Sequence, residues 1–391
     1  MSERRWVGAA ALVAAAALCV PAATIGAPQA RASAGMSIGI YDEGETFFDD
    51  GTATFTRYKQ LGVKVLRVNL YWGGKLGVAK SRPFDASDPR DAAYDWSLYD
   101  RVAQFAGAYG IKLLFSINAT PRWANGGQSS NRPPLNFADL RAFAYAAAAR
   151  YSGNYTGDDG RTLPAVRLWA AWNEPNNPAF LRPQYVKRGG QWVIQSAVAY
   201  AKICNAVYLG VHSTGYPGEQ VACGVTSPRG NNNPNSSRPS VSPIAFLDAA
   251  KKAGMTTFDA YAHNPYYGSP SETPASKPPP TQSGGAPTAV TLGNIDDLIS
   301  EVTRLYGRKP IWITEYGYQT KPPDGQFGVS WPLQAKYLTQ AFAIARKNPR
   351  IALMLWFLVR DEPDLSGWQS GLMTTGGQKK PAYSAFIRVT H

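Results

Sequence analysis

Two glutamates stand in sequence contexts that predict reactive carboxyl groups at the ends of buried strands. Glu174 lies in Trp-Asn-Glu-Pro and Glu315 in Thr-Glu-Tyr-Gly, each directly after a short apolar run. Two carboxyl groups that face each other can flank a glycosidic bond, one attacking the sugar carbon and the other donating a proton. The donor must keep its proton near neutral pH, which apolar surroundings or a neighbouring carboxylate would promote. The pair therefore predicts chemistry at a sugar bond.

Apolar, β-branched runs alternate with helix-patterned segments along most of the chain, and this alternation must position the two glutamates. The predicted strands are Ser37–Tyr41, Val63–Leu70, Ile111–Ile117, Val166–Trp172, Gln220–Val225, Thr257–His263, Pro310–Thr314 and Ile351–Val359. The predicted helices lie near 53–61, 95–109, 137–151, 192–213, 241–253, 292–306, 331–347 and 381–388. Asp95 and Asn136 each precede a helix pattern and are predicted to cap it. Such alternation predicts a parallel sheet wound in one direction.

A parallel sheet of eight strands either closes into a (β/α)8 TIM barrel or stays open and doubly wound. The barrel is favoured because Glu174 and Glu315 would then follow its fourth and seventh strands, at the rim where barrel active sites lie. The irregular stretches 71–94, 173–191, 226–240 and 264–291 also follow strands, and such loops can form the walls of a cleft. No linker separates a second module, so residues 33–391 are predicted to form one α/β catalytic domain.

The two glutamate motifs, in this order and spacing, resemble clan A glycoside hydrolases, in particular family 39 and the cellulase-like group. The resemblance extends over residues 37–388 in motif order. It implies a retaining glycosidase in which Glu174 is the acid/base and Glu315 the nucleophile. By the same resemblance, Asn173 binds the sugar 2-hydroxyl.

The resemblance also implies residues that support the nucleophile. Arg67, inside the apolar run Val-Leu-Arg-Val-Asn, corresponds to an arginine that steadies it, and a cation there would keep Glu315 ionised. The alternative for Arg67 is a surface ion pair. Tyr266 corresponds to a tyrosine that hydrogen-bonds the nucleophile. Relatives carry a histidine two residues before this tyrosine; here Asn264 stands there, with His263 displaced by one, and both are candidates.

Further candidates for sugar binding lie on or after other strands. Trp356 matches the aromatic floor beneath the cleaved sugar, with core packing as its alternative. Asp42, Trp72 and Asn118 follow the first three strands, at the rim where a sugar would bind. The same rim position applies to Tyr41, Glu43, Trp123, Asp361 and Glu362.

Other chemistries lack the residues they need. The histidines His212, His263 and His391 are far apart and no metal-binding spacing occurs, so no metal is predicted. No Gly-x-Ser-x-Gly elbow supports an esterase or amidase, and no glycine-rich phosphate loop implies a nucleotide cofactor. Transglycosylation on the same site remains open. A non-catalytic carbohydrate-binding barrel is the other alternative, disfavoured because it would not need both glutamates.

The N-terminus predicts export. Two arginines within Met1–Arg5 precede the apolar run Trp6–Val20, and small residues lead to Ala-Arg-Ala at 30–32, so residues 1–32 are predicted to be a signal peptide. The run is short for a membrane span, which predicts a secreted protein without a stable membrane anchor. In an oxidising compartment Cys204 and Cys223 are expected to form a disulfide, with two free buried thiols as the alternative.

The charge of the chain bears on its partners. It carries 40 Lys and Arg against 27 Asp and Glu, a formal net charge of +13. The basic residues are scattered, so nucleic acid is not an expected partner. A loose association with an anionic cell wall is expected instead. The predicted substrate is an oligosaccharide or polysaccharide, whose sugar and linkage depend on the rim loops.

Overall fold

A computed structural model describes residues 35–157, 159–279 and 288–391, and within them eight parallel strands close into a barrel. The strands, in chain order, are β1 Ser37–Tyr41, β2 Val65–Tyr71, β3 Lys112–Asn118, β4 Leu168–Ala171, β5 Gln220–Thr226, β6 Ala260–His263, β7 Ile311–Ile313 and β8 Ile351–Phe357. Each strand pairs with its neighbours in sequence, and β1 pairs with β8 to close the circle. The predicted signal peptide, residues 1–32, lies outside the described residues.

Helices follow the strands on the outside of the barrel. They are α1 Glu43–Phe48, α2 Gly51–Gln60, α3 Ser97–Tyr109, α4 Phe137–Arg150, α5 Gln195–His212, α6 Pro243–Lys252, α7 Ile295–Tyr306, α8 Trp331–Lys347 and α9 Pro381–Thr390, with a 3-10 turn Leu292–Asn294 before α7. The predicted (β/α)8 barrel is confirmed, and the open, doubly wound alternative is wrong. Among the described helices, none combines the length and hydropathy required to cross a membrane.

Local differences from the predicted elements have simple causes. The Asn136 side chain accepts a hydrogen bond from the Ala138 N–H at 3.0 Å and caps α4 as predicted. Asp95 was predicted to cap α3, but the helix begins at Ser97 and Asp95 accepts from the Ser97 N–H one residue earlier. Two short features were not predicted: helix α1 and a hairpin formed by Tyr185–Arg188 and Gln191–Ile194. Both are too short for a periodic pattern to indicate them.

Alternation along the strands decides which side chains reach the inside of the barrel. The interior is filled by apolar residues of one parity on each strand: Val65, Leu114, Ala170, Ala222, Ala260, Ala262, Trp312, Leu353 and Leu355. Residues of the other parity pack outward against the helices. Because side chains alternate along a strand, residues two and four positions further on point inward too, toward the C-terminal mouth.

The predicted disulfide between Cys204 and Cys223 is confirmed. It joins α5 to β5, with 5.8 Å between the two Cα atoms and a separation of 19 residues along the chain. Both cysteines are buried. A cross-link that closes a loop of this length stabilises a protein by about 3 kcal/mol, mainly because it restricts the unfolded chain.

We predict that the double variant Cys204→Ala/Cys223→Ala loses about 3 kcal/mol of unfolding free energy, because the unfolded chain regains the entropy of the open loop. Urea denaturation of wild type and variant, each with and without a reducing agent, measures this. Reduction should destabilise the wild type to a similar degree and leave the variant unchanged. Equal stability of oxidised wild type and variant would contradict the prediction.

Candidate active site

A cleft of about 860 Å³ opens at the C-terminal mouth of the barrel. Glu174 follows β4 and Glu315 follows β7, and both carboxyl groups line this cleft. Asn118, Asn173 and Tyr266 line it as well. Among the described residues, Glu174 and Glu315 supply the acidic side chains of its lining, so the two glutamates singled out from the sequence face the same space.

Glu315 is held by a cation and a phenol. Arg67 donates from Nη1 to Glu315 Oε1 at 2.7 Å, and the Tyr266 hydroxyl donates to Oε2 at 3.1 Å. The Arg67 side chain is fully buried, while about a tenth of the Glu315 side chain is exposed to the cleft (0% and 10%). The cation and the phenol thus contact different oxygens of the same carboxylate.

Arg67 reaches this position because β2 turns it inward, two residues after Val65. Its Nη2 donates to Asn173 Oδ1 at 2.7 Å and its Nε to Ser116 Oγ at 3.0 Å. The guanidinium also lies over the Tyr41 ring, 4.5 Å from the centroid. Burial alone would lower the pKa of Arg67, but the charge of Glu315 and of other neighbours raises it overall, so the guanidinium stays charged.

Glu174 has a different environment, made of neutral groups. Asn264 donates from Nδ2 to Glu174 Oε1, and Asn177 donates from Nδ2 to Oε2, both at 3.1 Å. The Thr314 hydroxyl donates to Asn264 Oδ1 at 2.7 Å and so orients this amide. Burial, followed by the negative charge of Glu315, raises the pKa of Glu174 to about 7, although the two amides act in the opposite direction.

The backbone turns sharply at the end of β4 to direct Glu174 into the cleft. Glu174 has a φ of 39° and Trp172 a φ of 70°, in the left-handed region that non-glycine residues rarely adopt. The Glu174 N–H donates to the Val225 carbonyl on β5 at 2.8 Å, which fixes this turn. Strained backbone of this kind persists where the surrounding structure holds it, and it is concentrated at functional sites.

Some residues proposed from the sequence do not reach the cleft, among them His263. Its Nδ1 accepts from the Thr226 hydroxyl at 2.8 Å and its Nε2 donates to the Val290 carbonyl at 2.9 Å. Burial lowers the pKa of His263 to about 4, so the ring is neutral. The expectation that His263 binds substrate is corrected: it is the last residue of β6 and points outward, and the next residue, Asn264, points inward.

The same parity effect corrects two tryptophans. Trp356 packs outward, fully buried, and donates from Nε1 to the Ser370 carbonyl at 3.1 Å, while its neighbour Phe357 lines the cleft. Trp72 likewise packs against the helix side in the outer core, and Tyr71 takes the position in the cleft. The aromatic side chain that β8 presents to the cleft is therefore Phe357, and the expectation for Trp356 is corrected to core packing.

Asp42 is a structural residue and not part of the cleft lining. Its Oδ2 accepts from the N–H groups of Val359 and Arg360 at 2.9 and 3.1 Å, and its Oδ1 accepts from the Glu45 N–H and caps α1. Burial raises the pKa of Asp42 to about 7. The carboxylate ties the end of β1 to the end of β8, which corrects the expectation of sugar binding. Asp361, another rim candidate, is buried in an ion pair with Lys380.

Several residues of the cleft were not predicted from the sequence. Asn69 lies two positions after Arg67 on the inward face of β2, so the alternation of side chains along this strand could have predicted it. Tyr71 and Phe357 were missed as well and lie at the ends of β2 and β8. Other lining residues belong to loops, whose path the sequence does not indicate, among them Asn131, Asn177, Phe180, Arg229, Arg238 and Trp368. Within the described ranges, no group of three or more His, Cys, Asp or Glu side chains is arranged to hold a metal ion.

Comparisons with known proteins agree with this architecture. A family model described as the glycosyl hydrolase catalytic core matches residues 289–386, the part of the chain that contains β7 and β8. Among curated proteins, none matches the sequence.

Solved structures are similar over nearly the whole chain. A family 39 glycoside hydrolase from Bacteroides cellulosilyticus WH2 has a TM-score of 0.63 at 20% identity, covering 90% of this chain and 63% of that one. A glucosidase from Croceicoccus marinus has a TM-score of 0.62 at 14% identity, and the match covers 92% of this chain and 67% of that one. The family 39 enzyme from Xanthomonas axonopodis pv. citri has a TM-score of 0.57 at 16% identity, and the match covers 92% of this chain and 66% of that one. This chain thus spans about two thirds of their lengths (63–67%). The resemblance to clan A glycoside hydrolases is thereby confirmed at the level of the fold.

Proposed function

We propose that this protein is a retaining glycoside hydrolase in which Glu315 is the nucleophile and Glu174 the acid/base. The barrel fold and the family-model match support a glycosidase. The observation that carries the finer assignment is the contrast between the two carboxyl groups. Glu315 is paired with a buried cation, whereas Glu174 is contacted by amides and has a pKa raised to about 7. Carboxyl groups whose environments separate their protonation states divide the acid and nucleophile roles in this way.

In the first step, ionised Glu315 attacks the anomeric carbon while Glu174 gives its proton to the oxygen of the leaving group. The C–O bond to the leaving group breaks and an ester bond to Glu315 forms. The negative charge of Glu315 is consumed in that ester, which removes one of the two effects that raise the pKa of Glu174. Glu174 can then accept a proton from water, which attacks the same carbon and releases Glu315.

The remaining cleft residues suit a sugar ring. Asn173 Oδ1 accepts from Arg67, and the Asn173 NH2 group is left to donate to a sugar hydroxyl, since no described residue accepts from it. Asn69 donates to the Tyr41 hydroxyl at 2.6 Å, so hydroxyl and amide groups converge beside Arg67. The ring centroids of Trp368 and Tyr266 are 5.0 Å apart, and Trp368 offers an aromatic face on which the C–H groups of a sugar could stack.

Transfer to a sugar hydroxyl instead of water uses the same residues and remains the second candidate reaction. Acceptor sugars added during turnover distinguish the two reactions, because transfer yields longer products.

We also propose that the protein is exported and released, on the strength of the sequence pattern in residues 1–32. Without residues 1–32, which contain three Arg and one Glu, the formal charge falls from +13 to +11, and this charge supports a loose association with anionic wall polymers.

We predict that Glu174→Gln and Glu315→Gln each lower kcat by at least about a hundredfold, since each removes one of two cooperating roles. The double variant should be no slower than the slower single variant. Hydrolysis of a panel of aryl glycosides and polysaccharides measures this, and Glu301→Gln on the outer helix α7 is the matched control. For Glu174→Ala, azide should restore turnover of aryl glycosides whose leaving group needs no proton. Near-normal turnover in either glutamine variant would refute its assigned role.

The proposed covalent intermediate predicts that the product keeps the anomeric configuration of the substrate. Two displacements at the same carbon invert it twice. Proton NMR of the hydrolysate, recorded before the sugar equilibrates, identifies the first anomer formed. An inverted first product would mean that Glu315 activates water and is not itself the attacking group.

The pH dependence of kcat/KM should show an alkaline limb near pH 7. Glu174 donates only when protonated, so activity is present below its pKa of about 7 and is lost as the pH rises through that value. Asn177 donates to the ionised form and lowers this pKa, so Asn177→Ala should move the limb to higher pH. Rate profiles of wild type, Asn177→Ala and Glu301→Gln test this. A limb that stays in place in a folded Asn177→Ala protein would assign it to another group.

A further inference from the structure

The loop that follows β5 forms the wall of the cleft next to Glu174. Asn176, two residues after Glu174, accepts from the Ser227 N–H at 2.8 Å and donates to the carbonyls of Ser227 and Val241 at 3.2 and 2.9 Å. These bonds fasten both ends of the loop 227–241 to the segment that carries the proposed proton donor. Because the acid donates to the leaving group, this wall borders the leaving-group half of the substrate.

Arg229 on this wall carries a charge that no described residue pairs. Its guanidinium lies against Gly268, where a Cβ atom would come within 2.0 Å of Nη1, and it lines the cleft. Within the described ranges, it takes part in no ion pair and donates no hydrogen bond. Residues 280–287 contain neither Asp nor Glu. Desolvation lowers the pKa of Arg229, and the opposing charge is that of Glu272, whose Oε2 accepts from the Gly268 N–H at 2.9 Å.

Arg238 is presented by the same loop, which is internally braced. Asn231 Oδ1 accepts from the N–H groups of Asn233 and Ser240, both at 3.1 Å, and its Nδ2 donates to the Arg238 carbonyl at 3.1 Å. The Arg238 side chain lines the cleft and has no carboxylate partner among the described residues. Two guanidinium groups therefore face the cleft from a wall whose backbone is held by its own hydrogen bonds.

The opposite half of the cleft has another character. Around Arg67 the side chains that line it are neutral phenols and amides, namely Tyr41, Asn69 and Tyr71, and the cation itself is paired with Glu315. Among the described residues that line the cleft, the cationic side chains are Arg229 and Arg238, and both belong to the loop after β5. A neutral sugar would leave both guanidinium groups without a counter-ion, whereas two oxygens of a carboxylate, sulfate or phosphate would accept two parallel hydrogen bonds from either of them.

We propose that the leaving-group part of the substrate carries an anionic group, a carboxylate, sulfate or phosphate, which Arg229 and Arg238 bind. The proposal rests on the proposed function, because that function identifies which half of the cleft receives the leaving group. It narrows the substrate class from any saccharide to an acidic one. Two of the basic residues of the chain would then have a direct role in binding the substrate.

Binding measured without turnover tests the proposal separately from catalysis. In a Glu174→Gln background, isothermal titration at physiological ionic strength compares polygalacturonate, dextran sulfate and poly(glycerol phosphate) with neutral dextran. The variants are Arg229→Met, Arg238→Met, their combination, and Arg229→Lys, which keeps the charge but cannot donate two parallel hydrogen bonds to one anion. Arg308→Met is the matched control, because Arg308 is exposed just before β7, at the opposite end of the barrel. Thermal unfolding checks that each variant is folded. Because the Arg238 side chain is exposed, the single variant Arg238→Met still tests the proposal if Arg229→Met does not fold.

We expect at least one anionic polymer to bind more tightly than dextran. Its affinity should fall about tenfold in Arg229→Met and in Arg238→Met, and less than about twofold in Arg308→Met. Arg229→Lys should lie between wild type and Arg229→Met. The polymer that responds identifies the anion. The proposal is overturned if no anionic polymer exceeds dextran, if the Met variants bind as wild type does, or if Arg308→Met loses as much as they do. Turnover of neutral aryl glycosides by the unsubstituted enzyme reports on the proposed function independently.

Discussion

The buried ion pair between Arg67 and Glu315 is the constraint on which the arrangement of the cleft depends. Removing an arginine and a carboxylate from water costs several kcal/mol per ion, and mutual attraction repays this only when the remaining donors and acceptors are also satisfied. The structure satisfies them: Asn173 and Ser116 accept from the guanidinium, and Tyr266 donates to the carboxylate. Well-packed apolar residues would stabilise the barrel as well or better, so the pair is better explained by what it does to Glu315.

The same pair sets the properties of Glu174 across the cleft. The carboxylate of Glu315, which is paired with Arg67, is a negative neighbour of Glu174, and after burial its charge raises the pKa of Glu174 to about 7. Thr314 connects the two sides, because its hydroxyl orients Asn264 and its carbonyl accepts from Arg67 at 3.3 Å. One residue before the proposed nucleophile thus positions the amide that contacts the proposed acid.

The sequence was sufficient to predict the barrel and the strand ends that carry Glu174 and Glu315, because eight repeated strand–helix units leave few alternatives. It did not decide which of two adjacent residues enters the cleft where a strand ends. His263 and Trp356 point outward, and Asn264 and Phe357 point inward, since a shift of one residue reverses the face. The role of Asp42 was missed for another reason: it caps α1, a helix too short to be indicated by periodicity. Arg229 and Arg238 lie on a loop, whose course depends on tertiary contacts.

This division between strands and loops separates reaction from recognition. The strand ends hold the carboxyl groups that we propose act on the glycosidic bond, whereas the loop after β5 holds two guanidinium groups that no described carboxylate pairs. Asn176 fastens this loop to the segment of Glu174, so the proposed anion site and the proposed proton donor share one support. The pKa of Glu174 is raised to about 7 although no described carboxylate pairs with Arg229 or Arg238, and the causes are burial and the charge of Glu315. Protonation of the proposed acid is therefore set by the strand ends, and the choice of leaving group that we propose for the loop does not alter it.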